Sequence, residues 1–158
     1  MATRSPERAP WSLAPKQLLW KLSDRARQFR EQQTLTPEAA LGRRGEDFAH
    51  RYLRNIGMTV LARNYRPGAG EAEVDIVARD GDILVFVEVK SRRSADHGSP
   101  DRQIDETKRR NITRAARSYA TRAGIAWNQV RFDLVSVVFS EPPSIVHQQD
   151  AFFEGRPI

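Results

Sequence analysis

Apolar and polar positions change period several times along this chain, and each change marks an element. A helical pattern opens at Thr36-Pro37, a capping residue followed by Pro at the first helical position, and runs to about Ile56 before Gly57. On a helical projection Gly42, Gly45, Ala49, Tyr52, Leu53 and Ile56 share one face, and Arg43, Asp47, Arg51 and Arg54 share the other. The two glycines weaken the helix but let it sit close against a sheet. Glu46 falls on the border of the apolar face beside Leu53, an odd position for a carboxylate with only solvation to do.

Strand-like segments follow. Thr59 to Tyr65 is β-rich, and Pro67-Gly68-Ala69-Gly70 reads as a loop. Glu73 to Arg79 and Ile83 to Ser91 flank Asp80-Gly81, a dipeptide that a type I′ hairpin turn prefers. Ser94, Gly98, Ser99 and Pro100 mark a second loop, before a helix from about Gln103 to Ala123 that Gly124 ends. A last core strand, Arg131 to Phe139, precedes Pro142-Pro143 and a short tail strand near Ile145 to His147. The order helix, three strands, helix, strand predicts an α/β domain over residues 36–158.

Residues 1–35 read as an extension. Pro6, Pro10 and Pro15 break up its start, and Leu18, Leu22, Ala26 and Phe29 then recur near helical spacing among Lys21, Arg25, Arg27 and Arg30. The expectation is a short basic amphipathic helix, lying on the domain or weakly ordered; a membrane-surface or partner-binding role is the alternative.

The hairpin carries the chemistry. With Asp80-Gly81 as the turn, Arg79 pairs with Asp82, Asp75 faces Phe86 and Glu73 faces Glu88. Glu73, Asp75, Glu88 and Lys90 then project from one side of the sheet, with the Cβ atoms of Asp75 and Glu88 roughly 7 Å apart or less. Val74, Ile76, Val85, Val87 and Val89 read as buried, and ions in such surroundings need partners or a metal. Oxygen ligands without Cys or His suit Mg²⁺ or Mn²⁺, which stabilises charge on a phosphate, while Lys90 could orient a water or neutralise the transition state. The bland reading is a Lys–carboxylate network at a sheet edge.

Composition narrows the partners. Cys is absent, which removes disulfides and thiolate chemistry and fits a reducing compartment such as the cytoplasm. The three His residues, His50, His97 and His147, are too scattered to suggest a zinc site by spacing. Net charge is +6, and only Lys16, Lys21, Lys90 and Lys108 of the 26 basic residues are Lys. Arg offers a planar fork for phosphate oxygens, so the balance leans toward nucleic acid, although a GC-rich genome gives the same bias. In the second helix Ile104, Ile112, Ala115, Ala116, Tyr119 and Ala123 form the inward stripe, and Arg110, Arg114 and Arg117 gather opposite. That face is either solvated or in contact with phosphates. Lys108 lies nearer the inward stripe, within possible reach of the carboxylates.

Asp75 followed by Glu88-x-Lys90 on the next strand, in this element order, resembles the restriction-endonuclease-like PD-(D/E)-x-K core. Several stretches also resemble the YraN family of predicted endonucleases, distant relatives of archaeal Holliday-junction resolvases. They are Gly42-x-x-Gly45-Glu46-x-x-Ala49, Ala62-Arg63-Asn64-Tyr65-Arg66, Glu73-Val-Asp75, Val85 to Lys90 with Arg92, Lys108-Arg109-Arg110 and Arg131-Phe132-Asp133, with His147 and Ala151-Phe152 in the tail. Where the family usually has Gly before its Glu-x-Asp, Ala72 stands here.

The resemblance implies a mixed central sheet flanked by helices and a Mg²⁺- or Mn²⁺-binding site of Glu46, Asp75 and Glu88 with Lys90 beside it. It further implies hydrolysis of phosphodiesters in branched or single-stranded DNA. Nucleic-acid contacts are then expected from Arg66, Arg92, Arg93, Lys108, Arg110, Arg114 and Arg117, with a homodimer as a further partner arrangement. The rivals are a module on the same fold that binds nucleic acid without cutting it and, more distantly, a membrane-associated assembly factor.

Overall fold

A computed structural model describes residues 35–68, 72–94 and 104–152 of the 158-residue chain. The amphipathic helix expected in residues 1–35 lies outside the described residues. The elements are α1 (Pro37–Asn55), β1 (Thr59–Tyr65), β2 (Val74–Asp80), β3 (Ile83–Arg92), α2 (Glu106–Ala123), β4 (Val130–Val138) and β5 (Ser144–Gln148), with a 3₁₀ turn at Trp127–Gln129. The expected order is present, and the tail strand joins the sheet as a full member. No helix among the described residues is long and apolar enough to cross a membrane.

The five strands form one mixed sheet in the order β1-β2-β3-β4-β5. Neighbours are antiparallel except β3 and β4, which run parallel. A parallel pair needs a long crossover, and α2 lies within it. Alternating side chains serve two cores. Leu84, Phe86 and Phe132 pack with Ile112, Ala115, Ala116 and Ala120 of α2, whereas Val85, Val87, Val135 and Val137 pack with Ala49 and Leu53 of α1. The sheet therefore lies between the two helices.

Local chemistry fixes the helix ends. Thr36 accepts the Ala39 N–H at 3.2 Å and Pro37 takes the first turn, as expected. The second helix starts at Glu106, later than Gln103, because the Asp105 carboxylate caps it by accepting the Lys108 N–H at 2.8 Å. Gly124 closes it in the left-handed conformation at φ 68°.

Three expectations need correction. The hairpin loop is Gly81-Asp82, not Asp80-Gly81, so Asp80 pairs with Ile83 and Val77, not Asp75, pairs with Phe86. Gly81 alone of the two has positive φ (58°), the requirement of a type II′ turn, and Asp80 stays in the strand with its carboxylate on Arg131. Ile56, placed on the apolar face, is exposed because the chain has already left the helix there. Of the two glycines, only Gly45 makes a close approach. A Cβ there would lie 1.6 Å from Ser91 Oγ on β3, while one at Gly42 would meet nothing within 4 Å.

Candidate active site

The corrected register brings the acids closer together. Ile76 pairs with Val87, so extending the ladder by one residue sets Asp75 directly opposite Glu88 rather than diagonal to it. Here the strands stop exchanging backbone bonds in the regular way. The Val89 N–H donates to Asp75 Oδ2 at 2.8 Å, so a side chain takes the place of a backbone acceptor at the middle residue of Glu88-Val89-Lys90.

Strand alternation also breaks at this point. Val74 belongs to the α2-side core and Ile76 to the α1-side core, although a regular strand would put both on one face. Opposite Asp75, between the pairs Arg63↔Ile76 and Tyr65↔Val74, stands Asn64 with φ 49°. Asn is among the few non-glycine residues that enter this region readily. β1 and β2 thus turn over together at Asn64 and Asp75, and the Asn64 side chain hydrogen-bonds Glu46 of α1. Gly45 seats α1 against Ser91 one residue earlier, which brings Glu46 to the same end of the sheet.

Glu88 is only 4% exposed and is flanked by two ammonium groups: Lys90 Nζ lies 3.1 Å from Oε1 and Lys108 Nζ 3.2 Å from Oε2. Oε2 is buried and Lys108 is the ammonium against it, so the two lysines divide the two oxygens of Glu88 between them. The Asp75 carboxyl is pushed up to about 8, chiefly by burial and then by the neighbouring Glu88, with the Val89 N–H and Lys108 opposing. Burial also raises Glu46, against the lowering pull of Arg63 and Asn64. For Lys108 burial works in the lowering direction, but Glu88 and Asp75 outweigh it and hold the ammonium above its ordinary range.

Asp75, Glu88 and Lys90 are therefore assembled at one place, with Glu46 within electrostatic reach of Asp75. Glu46 has a defined hold of its own, 3.6 Å from Arg63 Nη2. Glu73, expected on the same strand face, precedes β2 and pairs with Arg66. Among the described residues no three His, Cys, Asp or Glu side chains are gathered tightly enough to hold a metal as they stand. The Asp75–Glu88 pair still fits a hard divalent ion, which takes few protein oxygens and keeps several waters. The mutual repulsion of the two buried acids is of the kind that such a cation would offset.

The basic residues divide. Lys108 belongs to the carboxylate cluster rather than to an outer surface. Arg66 is committed to Glu73, Arg93 is exposed, and Arg92 is half-buried at the end of β3. Arg110, Arg114 and Arg117 are exposed on α2; Arg110 pairs with Glu106 at 3.2 Å, and Arg117 stacks over Trp127 at 4.4 Å. Sequence reasoning gave no role to Arg63 and Asn64, the two residues that hold Glu46. Their stretch, Ala62 to Arg66, carries part of the family resemblance, and an Asn inside a strand of otherwise extended type marks a left-handed position.

A second buried polar group lies on the α1 side of the sheet. Asp133, with no exposed surface, accepts Arg131 Nε at 2.9 Å and the Asp150 N–H at 3.1 Å, and lies 2.8 Å from His147 Nε2. His147 Nδ1 faces the Tyr52 hydroxyl at 3.5 Å. This network ties β5 and the tail to β4 and α1, and it contains neither Asp75 nor Glu88.

The family model of the uncharacterised protein family UPF0102 matches residues 45–137, a span that includes Glu46, Asp75, Glu88, Lys90 and Lys108. A UPF0102 protein of Solibacter usitatus is 49% identical over 135 residues, covering 85% of this chain and 98% of its own. One from Rhodococcus jostii is 44% identical over 115 residues, 72% of this chain and 96% of its own. Another, from Geobacter sulfurreducens, is 45% identical over 114 residues, 71% and 88% of the two chains.

Proposed function

The chain belongs to the uncharacterised protein family UPF0102, and we propose that it is a divalent-metal-dependent endonuclease-like enzyme that hydrolyses phosphodiester bonds in nucleic acid. This reading takes the α/β sheet as the restriction-endonuclease-like core that the YraN resemblance implies. One observation carries it: two crowded carboxylates, Asp75 and Glu88, face each other where the hairpin strands part, with two lysine ammonium groups against Glu88. A structural ion pair needs one acid and one base. Two acids forced together, one of them held protonated near neutral pH, form a costly arrangement of the kind that a functional site retains.

Bound between Asp75 and Glu88, a Mg²⁺- or Mn²⁺-type ion would supply Lewis acidity toward a phosphate oxygen. The chain's own groups do the rest. Lys90, whose side chain is 42% exposed, has an ammonium that can meet a phosphate from the solvent side and neutralise charge developing on it. Glu46, its carboxyl raised by burial, adds a third acid within electrostatic reach of Asp75. The exposed Arg110, Arg114 and Arg117 can position the sugar–phosphate backbone without reading bases.

The test is cleavage of labelled duplex, single-stranded, flap and four-way DNA with Mg²⁺, Mn²⁺ or EDTA. Wild type should cut at least one substrate only with metal. Asp75→Ala and Lys90→Ala should lose that cleavage while keeping DNA affinity nearly intact. Binding without cleavage by wild type would favour the non-catalytic module. Cleavage by Asp75→Ala at the wild-type rate would refute the site.

A further inference from the structure

We propose that Lys108 is a displaceable counter-ion of the site, standing on Glu88 Oε2 where a divalent cation would bind and leaving it when the cation arrives. The proposal rests on the reading of Asp75 and Glu88 as metal ligands, and it concerns a lysine outside the Glu88-x-Lys90 pattern.

Three observations support it. Lys108 Nζ lies 3.2 Å from Oε2, an oxygen buried within the site. Lys90 takes the other oxygen, Oε1, at 3.1 Å, so Lys108 alone of the two lysines stands on Oε2. Lys108 is also an ammonium that both acids share: it meets Glu88 at ion-pair distance and its charge acts on Asp75 as well. A cation common to the two carboxylates would occupy that same ground. Finally, Lys108 comes from the first turn of α2, and its side chain is 31% exposed. A four-carbon stem rooted there can swing its ammonium toward solvent without moving the helix.

Displacement then has a use. A dication cannot share Glu88 Oε2 with an ammonium at ion-pair distance, because like charges this close repel strongly in a partly buried site. Once freed, Lys108 adds a positive charge beside the site for an anionic substrate. The metal-free protein avoids two bare acids, and the metal-bound protein gains a cation where a phosphate must approach.

The experiment is Mn²⁺ binding to the full chain, read by electron paramagnetic resonance of the free ion, for wild type, Asp75→Asn and Lys108→Met. Met keeps the length of the side chain and removes its charge. Lys108→Met should bind Mn²⁺ about ten-fold more tightly than wild type, and Asp75→Asn should lose the site. In a second measurement, which needs no variant, an amine-reactive ester is titrated onto wild type and each lysine is followed by mass spectrometry. Mn²⁺ should raise the labelling rate of Lys108 several-fold over that in EDTA. Unchanged or weaker Mn²⁺ affinity in Lys108→Met, or unchanged Lys108 labelling, overturns the displacement while an Asp75-dependent Mn²⁺ site would still stand. No Asp75-dependent Mn²⁺ binding in wild type overturns both the displacement and the metal reading beneath it.

Discussion

Replacing Asp75 with Asn should stabilise the metal-free protein, by an amount that grows with pH. In the unfolded chain an Asp loses its proton near 3.8, whereas in the fold burial and Glu88 push Asp75 up to about 8. Between those values the native state holds a proton that the unfolded state has released, so stability falls as pH rises through the window. The slope is ~1.4 kcal/mol per pH unit, which puts the ceiling on the loss at ~1.6 kcal/mol at pH 5 and ~4 kcal/mol at pH 7. Asn resembles the protonated acid, keeps an oxygen for the Val89 N–H, and has no charge to bury. Urea unfolding of wild type and Asp75→Asn in EDTA, followed by circular dichroism at pH 5, 6, 7 and 8, measures the difference. The variant should lead by about 2–4 kcal/mol at pH 7 and by less than about 2 kcal/mol at pH 5. Adding Mg²⁺ or Mn²⁺ should then stabilise wild type, by ~2.7 kcal/mol at a hundred times Kd, and leave the variant unchanged. A variant no more stable than wild type at pH 8, or a lead that does not grow with pH, would refute the crowding of the two acids on which the site rests.

Other perturbations separate the surface, the helix seat and the second network. Replacing Arg110, Arg114 and Arg117 together should weaken DNA binding equally for all sequences and lower the magnitude of the salt slope by ~0.9 per lost duplex contact, measured by anisotropy at several salt concentrations; an unchanged slope would show that this face is only solvated. Gly45→Ala sets a Cβ 1.6 Å from Ser91 Oγ and should cost about 1–3 kcal/mol in thermal unfolding, with Ser91→Gly restoring most of it because the clash is with that side chain. Asp133→Asn leaves Arg131 and His147 without their buried acceptor charge and should cost about 3–5 kcal/mol. The Asp133 carboxyl is held below its ordinary range against the cost of burial, by His147, Arg131 and the Asp150 N–H. That part of wild-type stability is present above about pH 4 and lost as pH falls through the lowered value; the variant should lack this acid-dependent loss.

Most of the element order was legible because each boundary has a local chemical cause. Thr36, Pro37, Gly57 and Gly124 act within one helical turn, and a reader of sequence sees them directly. The hairpin register was less accessible, since Asp-Gly and Gly-Asp occur together in Asp80-Gly81-Asp82 and either dipeptide can serve as the loop. What selected Gly81-Asp82 is tertiary: Arg131, distant in sequence, takes the Asp80 carboxylate into the sheet. Shifting each partner by two residues preserves parity, so Glu88 and Lys90 kept their face despite the error. For Lys108 the sequence supports both a nucleic-acid contact and a reach toward the acids, because a helical projection gives direction but not length. The reach is borne out, with Lys108 as the second ammonium on Glu88.

The break at Asn64 and Asp75 explains why the acids gather here rather than elsewhere along the hairpin. α1 and α2 cover opposite faces of the sheet, so in a regular ladder a carboxylate on one strand position would address one helix only. Glu88 keeps the regular alternation of β3 and faces α2, where Lys108 meets it. Glu46 comes from α1, on the other face, and would be screened from that partner by the sheet itself. Turning β1 over at the left-handed Asn64, and β2 with it, puts Asp75 where it feels both Glu88 and Glu46. The left-handed backbone at Asn64 costs ~1 kcal/mol, offset in part by the side-chain bond that Asn64 gives Glu46. A purely structural sheet gains nothing from this strain, because regular pairing would satisfy the same backbone groups with no crowded acids. Local rules are broken here in three ways at once: backbone handedness, strand alternation and like-charge proximity. Their coincidence at one end of one hairpin is the physical reason to look for the chemistry there.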